Sequence, residues 1–188
     1  MPTHVALLRG INVGGRNRVA MADLREVVSS LGHAGVATYI QSGNVLFSSD
    51  QADTARLAAD LEQAIAGRLG VQPGVVVLTR DDLARAMRDN PYASEPNPKH
   101  VHVIFLPADP EPGMAAGLAQ AQRQAAGKGS RDTVTLAGRA VFLHTPDGFG
   151  TSELAKLLGR VGGPLSAKGA GTARNWATVT KLLELCDA

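Results

Sequence analysis

With 188 residues, 44% of them hydrophobic and 19% charged, the chain is long enough to bury its own core, and its composition is that of a globular rather than a disordered protein. A formal net charge of +2 is too small to name a nucleic-acid or membrane partner. The single cysteine, Cys186, excludes an internal disulfide and any cysteine-cluster zinc site.

The first element is a short apolar run, Val5, Ala6, Leu7 and Leu8, stopped by Arg9 and Gly10. It predicts a buried strand and is too short for a secretory signal core. No stretch approaches the ~20 apolar residues of a membrane span. Cytoplasm is therefore the expected compartment, and a membrane is not an expected partner. After the Gly-rich loop 10–18, Met21, Leu24, Val28 and Leu31 recur at helical spacing, and Gly32 suits the stop. Residues 36–40 and 45–47 are rich in strand formers, and Gln41, Ser42, Gly43 and Asn44 between them predict a hairpin turn. Leu57, Leu61, Ile65 and Leu69 form one apolar helical stripe ending at Gly70, followed by Val75, Val76, Val77 and Leu78 as a fourth strand. The order βαββαβ is the ferredoxin-like plan.

Thr79 and Asp82 predict a capping pair that opens a short helix toward Met87. Residues 90–99, with Pro91, Pro96 and Pro98, predict a connector. The plan then restarts. A strand at 101–106, a helix at 114–126, a hairpin from 132–136 and 141–144, and a helix from Thr151 follow in turn. His4-Val5-Ala6-Leu7-Leu8 aligns with His100-Val101-His102-Val103-Ile104, and Ser42-Gly43-Asn44-Val45-Leu46-Phe47 with Ala137-Gly138-Arg139-Ala140-Val141-Phe142. The near-constant offset suggests duplication, with chance likeness between apolar strands as the alternative. The second copy shows no fourth strand. A Gly-rich stretch, 162–171, leads into a last helix over 175–186 carrying Trp176, Val179, Leu183 and Cys186 on one stripe. The expected fold class is α+β: two tandem ferredoxin-like (βαββ-type) units with antiparallel sheets, plus a C-terminal helix. The expected boundaries are 1–80 for the first unit, 81–99 for the connector and 100–188 for the second unit.

Gly10-x-x-x-x-Gly15-Arg16-Asn17 has the spacing of a phosphate-binding P-loop. Arg and Asn, however, stand where that chemistry needs Lys on the phosphates and Ser or Thr on magnesium. The glycines then serve to turn the chain. A weaker role survives, in which exposed loop amides with Arg9, Arg16 and Arg18 hold an anion without NTPase chemistry. Residues 167–175 combine Lys168, Arg174 and a helix start, the ingredients of an anion site. Asn175 or Thr172 as an ordinary N-cap explains the same residues without a ligand. Lys128 and Arg131 lie in a third Gly-rich stretch that reads as a solvated turn. His100 and His102 supply two imidazoles on one strand, but nothing is spaced to complete a metal site. Cys186 reads as a small buried hydrophobe. An aromatic content of 4% argues against RNA readers that stack bases on their sheets.

Leu8-Arg9-Gly10-Ile11-Asn12-Val13-Gly14-Gly15, Tyr39-Ile40-Gln41-Ser42-Gly43-Asn44-Val45, Asn90-Pro91-Tyr92, and Thr172-Ala173-Arg174-Asn175-Trp176 continued by Thr178-Val179-Thr180-Lys181-Leu182 resemble a bacterial family, domain of unknown function 1697. The resemblance runs essentially end to end. It implies repeated β-α-β-β units with partly joined sheets, and it brings no activity and no catalytic residues. Ala173 stands where Thr is expected in relatives, and Arg16 and Arg18 where Lys is common. Those two substitutions keep the charge and add the bidentate grip of a guanidinium.

The expected function is non-catalytic anion binding, with a nucleotide or nucleic-acid phosphate as partner. The expected site residues are Arg9, Asn12, Arg16, Arg18, Lys168 and Arg174, with no cofactor and no metal. For these to form one site, the first loop and the last helix must meet. The alternatives are an enzyme acting on a small phosphorylated or acidic metabolite and a protein-interaction module with an exposed apolar patch.

Overall fold

A computed structural model describes residues 1–160 and 171–188. Among them, eight strands form two four-stranded antiparallel sheets, accompanied by six α-helices. The chain divides into two units, one of residues 1–85 with 181–188 and one of residues 86–180. No helix among the described residues is long and apolar enough to cross a membrane.

The first unit contains β1 (His4–Arg9), α1 (Met21–Ser30), β2 (Ala34–Tyr39), β3 (Asn44–Ser48), α2 (Thr54–Leu69) and β4 (Gly74–Thr79). Its sheet runs β2-β3-β1-β4. Val5 lies opposite Leu46 on one side and Leu78 on the other. Because strand side chains alternate between faces, Ala6, Leu8, Val45, Phe47, Val75 and Val77 share one face. They pack there with Leu24, Val27 and Val28 of α1 and Leu57, Leu61 and Ile65 of α2. Val5, Leu7, Val76 and Leu78 on the opposite face are buried as well. Burial on both faces is why the central strands read as unbroken apolar runs.

Local signals set the helix ends. Asp53 accepts from the N–H groups of Ala55 and Arg56 at 3.0 and 3.1 Å to open α2, and Gly70 closes it in the left-handed region at φ 67°. The expected capping pair opens α3 (Arg80–Asp89). Thr79 donates from N and Oγ1 to Asp82 Oδ2, each at 2.9 Å, and accepts from Asp82 N at 3.1 Å. Thr79→Ala is expected to cost about 1 kcal/mol of stability, read as a lower urea midpoint with an unchanged m-value.

The second unit repeats the strand order as β6-β7-β5-β8. Its elements are β5 (Val101–Phe105), α4 (Met114–Ala126), β6 (Thr133–Ala137), β7 (Ala140–His144), α5 (Glu153–Leu158) and β8 (Thr172–Asn175), with a 3-10 turn at Phe149–Thr151. Ile104, Leu118, Val141, Leu143, Leu154 and Leu158 make its core. Buried Asp132 accepts from Ser152 Oγ at 2.8 Å while Ser152 Oγ caps α5 through Ala155 N. β8 corrects the expectation of a missing fourth strand. It pairs antiparallel with β5, Thr172 opposite Phe105 and Arg174 opposite Val103. A strand of four residues is too short to show a two-residue period, but buried backbone groups along β5 require a partner. The last helix, α6 (Trp176–Cys186), therefore starts after this strand. Cys186 is buried near its end, and burial pushes its thiol pKa up.

Candidate functional site

The loop between β1 and α1 is a built structure. Gly10, Asn12, Gly14, Gly15 and Asn17 all occupy the left-handed region, which coils the chain back on itself. Asn12 N donates to Asn17 O at 3.0 Å, Arg16 N to Val13 O at 3.1 Å, and Asn17 Nδ2 to Gly10 O at 2.7 Å. The Asn12 side chain locks the loop in place. Its Oδ1 accepts from Val19 N at 2.9 Å, and its Nδ2 donates to Val19 O and Gln41 O at 3.0 Å each. Both amide protons of Asn12 are thereby engaged on backbone carbonyls, one in its own loop and one in the hairpin between β2 and β3.

Against this frame lies a hollow of about 380 Å³ lined by Asn12, Gly15, Arg18, Val19, Ala20 and Gln41. Arg16 and Arg18 are exposed, and neither joins an ion pair among the described residues. Ala20, on the wall of the hollow, is the N-cap of α1 and offers no side-chain cap. The first-turn N–H groups of α1 therefore lack the intrahelical or side-chain acceptor that a capped helix has. A guanidinium beside peptide N–H groups forms a donor set suited to an anion. Arg9, half-buried at the end of β1, lies alongside Gly74, its register partner on β4, and a Cβ at Gly74 would come within 3.2 Å of the Arg9 guanidinium.

Of the other expected residues, Arg174 belongs to the second unit and Lys168 lies outside the described residues. Arg174 is half-buried in β8 and donates from Nη1 to Ala173 O at 2.8 Å. Burial pushes its pKa down to about 10, which leaves it a cation at neutral pH. Asn175 accepts from Thr178 N at 2.8 Å, so the start of α6 already has a side-chain cap. The structure brings Asn12 and Arg18 together at the hollow, Asn12 as the support and Arg18 as the available charge.

One polar cluster has no counterpart among the sequence expectations. Glu95, in the connector ahead of β5, accepts through Oε2 from His144 Nε2 at 2.7 Å and through Oε1 from Asn97 N at 3.0 Å. His100 Nδ1 lies 3.4 Å from the same Oε1. Tyr92 stacks on His144 with ring centroids 5.2 Å apart and reaches Thr135 Oγ1 at 3.2 Å. The Asn97 N–H, followed by His144, holds the Glu95 carboxyl below its usual range. The only signal in the sequence is a lone carboxylate within a Pro-rich stretch, 49 positions from His144.

His100 and His102 do not form a shared ligand set. His100 binds Glu95 and Asn97, whereas His102 stacks on Phe149 at 4.2 Å with its Nδ1 buried and without a hydrogen-bond partner among the described residues. Burial pushes the His102 pKa down to about 4, so its ring is neutral near pH 7. No group of three potential metal ligands occurs among the described residues.

Comparison with known proteins gives a family and a fold. The family described as "Protein of unknown function (DUF1697)" matches residues 1–142. A solved structure of a conserved bacterial protein, SP0830 from Streptococcus pneumoniae, superposes with a TM-score of 0.70 at 25% identity, over 98% of each chain. No curated protein matches the chain.

Proposed function

We propose, for a chain that belongs to the DUF1697 family of proteins of unknown function, a role in non-catalytic binding of a phosphate-bearing ligand, a nucleotide or nucleic-acid phosphate. The observation that carries this reading is Arg18, exposed on the wall of a hollow it shares with Gly15 and with the uncapped start of α1. Local charge supports it. The chain has no carboxylate before Asp23 and none from 27 to 49, so Arg16 and Arg18 face no nearby acid from their own loop or from the hairpin. Asn12 is assigned as the support of the site through its Val19 and Gln41 bonds. Arg9 contributes positive field from the end of β1. Arg174 is a further cation, in the other unit, and Lys168, an expected member of the site, lies outside the described residues. The order β2-β3-β1-β4 and its repeat support reading both units as ferredoxin-like.

Calorimetric titration with AMP, ADP, pyrophosphate and a 12-nucleotide DNA strand, each at two salt concentrations, tests the reading. Saturable binding that weakens with salt is expected. Arg18→Ala should weaken it about tenfold, the loss of one charge-assisted contact of about 1.4 kcal/mol. Silence from all four ligands, or unchanged affinity in the variant, would remove the proposal.

A further inference from the structure

The ring of His4 is held where a charge has no outlet. His4 opens β1 and is only 5% exposed. Its ring stacks on Phe47, its register partner on β3, with centroids 5.6 Å apart, and His33 packs on the same Phe47 ring at 4.7 Å. His4 Nδ1 lies 2.8 Å from Thr3 Oγ1, whereas Nε2 is buried and has no hydrogen-bond partner among the described residues. A neutral imidazole carries one N–H, but an imidazolium donates from both nitrogens. Protonation therefore places a charged N–H in the interior without an acceptor, a cost that exposure to water removes. The groups facing the ring do not offset that cost. Burial, and after it repulsion from His33, lower the His4 pKa against the pull of Asp82 on α3. Burial lowers the His33 pKa as well, against the pull of Asp60 on α2.

Residues 1–3 are fastened around that ring. Thr3 N donates to Phe47 O at 3.1 Å, Ser48 Oγ to Met1 O at 3.0 Å, and Ser49 N to Thr3 Oγ1 at 3.1 Å. Arg80 N donates to Thr3 O at 3.0 Å, and the Arg80 guanidinium holds Asp187 at 2.8 and 3.2 Å. Met1, Pro2 and Thr3 wall a hollow of about 310 Å³ together with Arg80, Cys186 and Asp187. Cys186 is 1% exposed. All of these residues belong to the first unit. The bonds that hold residues 1–3 are few and lie at a strand end, where local opening is least costly. Thr3 is both the neighbour of His4 and the partner of its Nδ1, so the ring cannot reach water without displacing it. We propose that His4 is a proton-operated catch, in which uptake of a proton by its ring releases residues 1–3 from β3 and opens the hollow they wall toward Cys186.

Protection of Cys186 from 4,4′-dithiodipyridine tests the catch, each rate being divided by that of the urea-unfolded chain at the same pH. A released ring titrates at its ordinary value of 6.5, so protection is expected to fall about tenfold between pH 7.5 and pH 5.5. Amide hydrogen exchange at Thr3 and Arg80 should lose protection over the same interval. Ala6 and Val76, paired deeper in the sheet, should keep theirs. His4→Phe retains a ring against Phe47 and takes up no proton, so its Cys186 protection should change by less than about twofold. The His4 ring signals in NMR need no variant and should titrate over the same interval as the protection. A flat profile in the wild type overturns the catch, and so does an undiminished fall in His4→Phe. A His4 ring that gains its proton while Cys186 stays protected overturns it as well. Loss of protection at Ala6 and Val76 together with Thr3 would make the event global unfolding and end the proposal.

Discussion

Gly43→Ala is expected to lower the stability of the first unit by about 3–4 kcal/mol, from a single added methyl group. Two costs combine. Gly43 sits at φ 80°, where any Cβ is strained by about 1–2 kcal/mol. The new Cβ would also lie 2.7 Å from Ile11 Cδ1 and 2.9 Å from Leu8 Cβ. The Ile11 methyl can swing aside, but Leu8 Cβ belongs to the central strand and Leu8 N already donates to Gly43 O at 2.8 Å. Hairpin and strand therefore cannot separate without losing that bond. Gly70→Ala is the control. It shares the left-handed backbone at φ 67° but would have nothing within 4 Å of its Cβ. It should cost only the strain, about 1 kcal/mol. Urea unfolding of both variants separates the two costs, and equal losses would show that the close approach to Leu8 is unimportant.

Acidification should cost the protein up to about 2 kcal/mol through His102 alone between pH 7 and pH 5. Burial holds its pKa at about 4 in the folded chain against an ordinary value of 6.5. Between those values the unfolded chain binds the proton and the folded chain does not, so stability falls as the pH drops. The contribution is fully present above pH 6.5 and fully lost below about 4. Because the ring is partly open to solvent, screening makes the 2 kcal/mol an upper figure. Burial also lowers the pKa of His4, with repulsion from His33 adding to it, and that of His33, so these rings act in the same direction. His102→Phe keeps an aromatic ring against Phe149 and removes the titration. The urea midpoint should fall further between pH 7 and pH 5 in the wild type than in this variant. Parallel losses would show that His102 titrates normally.

Much of the architecture is legible where one segment carries its own instruction. The Leu57, Leu61 and Ile65 stripe becomes the buried face of α2, and Thr79 with Asp82 forms the expected reciprocal cap. Both signals lie within a few residues of the structure they specify. β8 was hidden for the opposite reason. Thr172, Ala173, Arg174 and Asn175 have no strand-like pattern of their own, and they become a strand because β5, about 70 positions earlier, offers an edge. The candidate site divides in the same way. Glycines and arginines in the first loop mark a turn with charge, but nothing near Asn12 reveals a bond to Gln41, 29 positions away. The Glu95 cluster joins a connector to the end of β7 and was invisible for the same reason. Chemistry assembled across distant positions leaves little trace in spacing.

The first unit is closed by residues 181–188, which follow the whole of the second unit in the chain. Arg80 reaches into that segment, holding Asp187 through Nε at 2.8 Å and Nη2 at 3.2 Å. During translation, residues 1–85 are made before the second unit, yet their partners at 181–188 leave the ribosome after it. The inserted unit has all its residues available sooner and can complete itself while the earlier one is still waiting. Synthesis order thus makes all residues of the inserted unit available before those of the first, unlike a chain whose units follow one another from the amino terminus. How long the first unit stays incomplete is then set by how quickly the ribosome delivers residues 181–188.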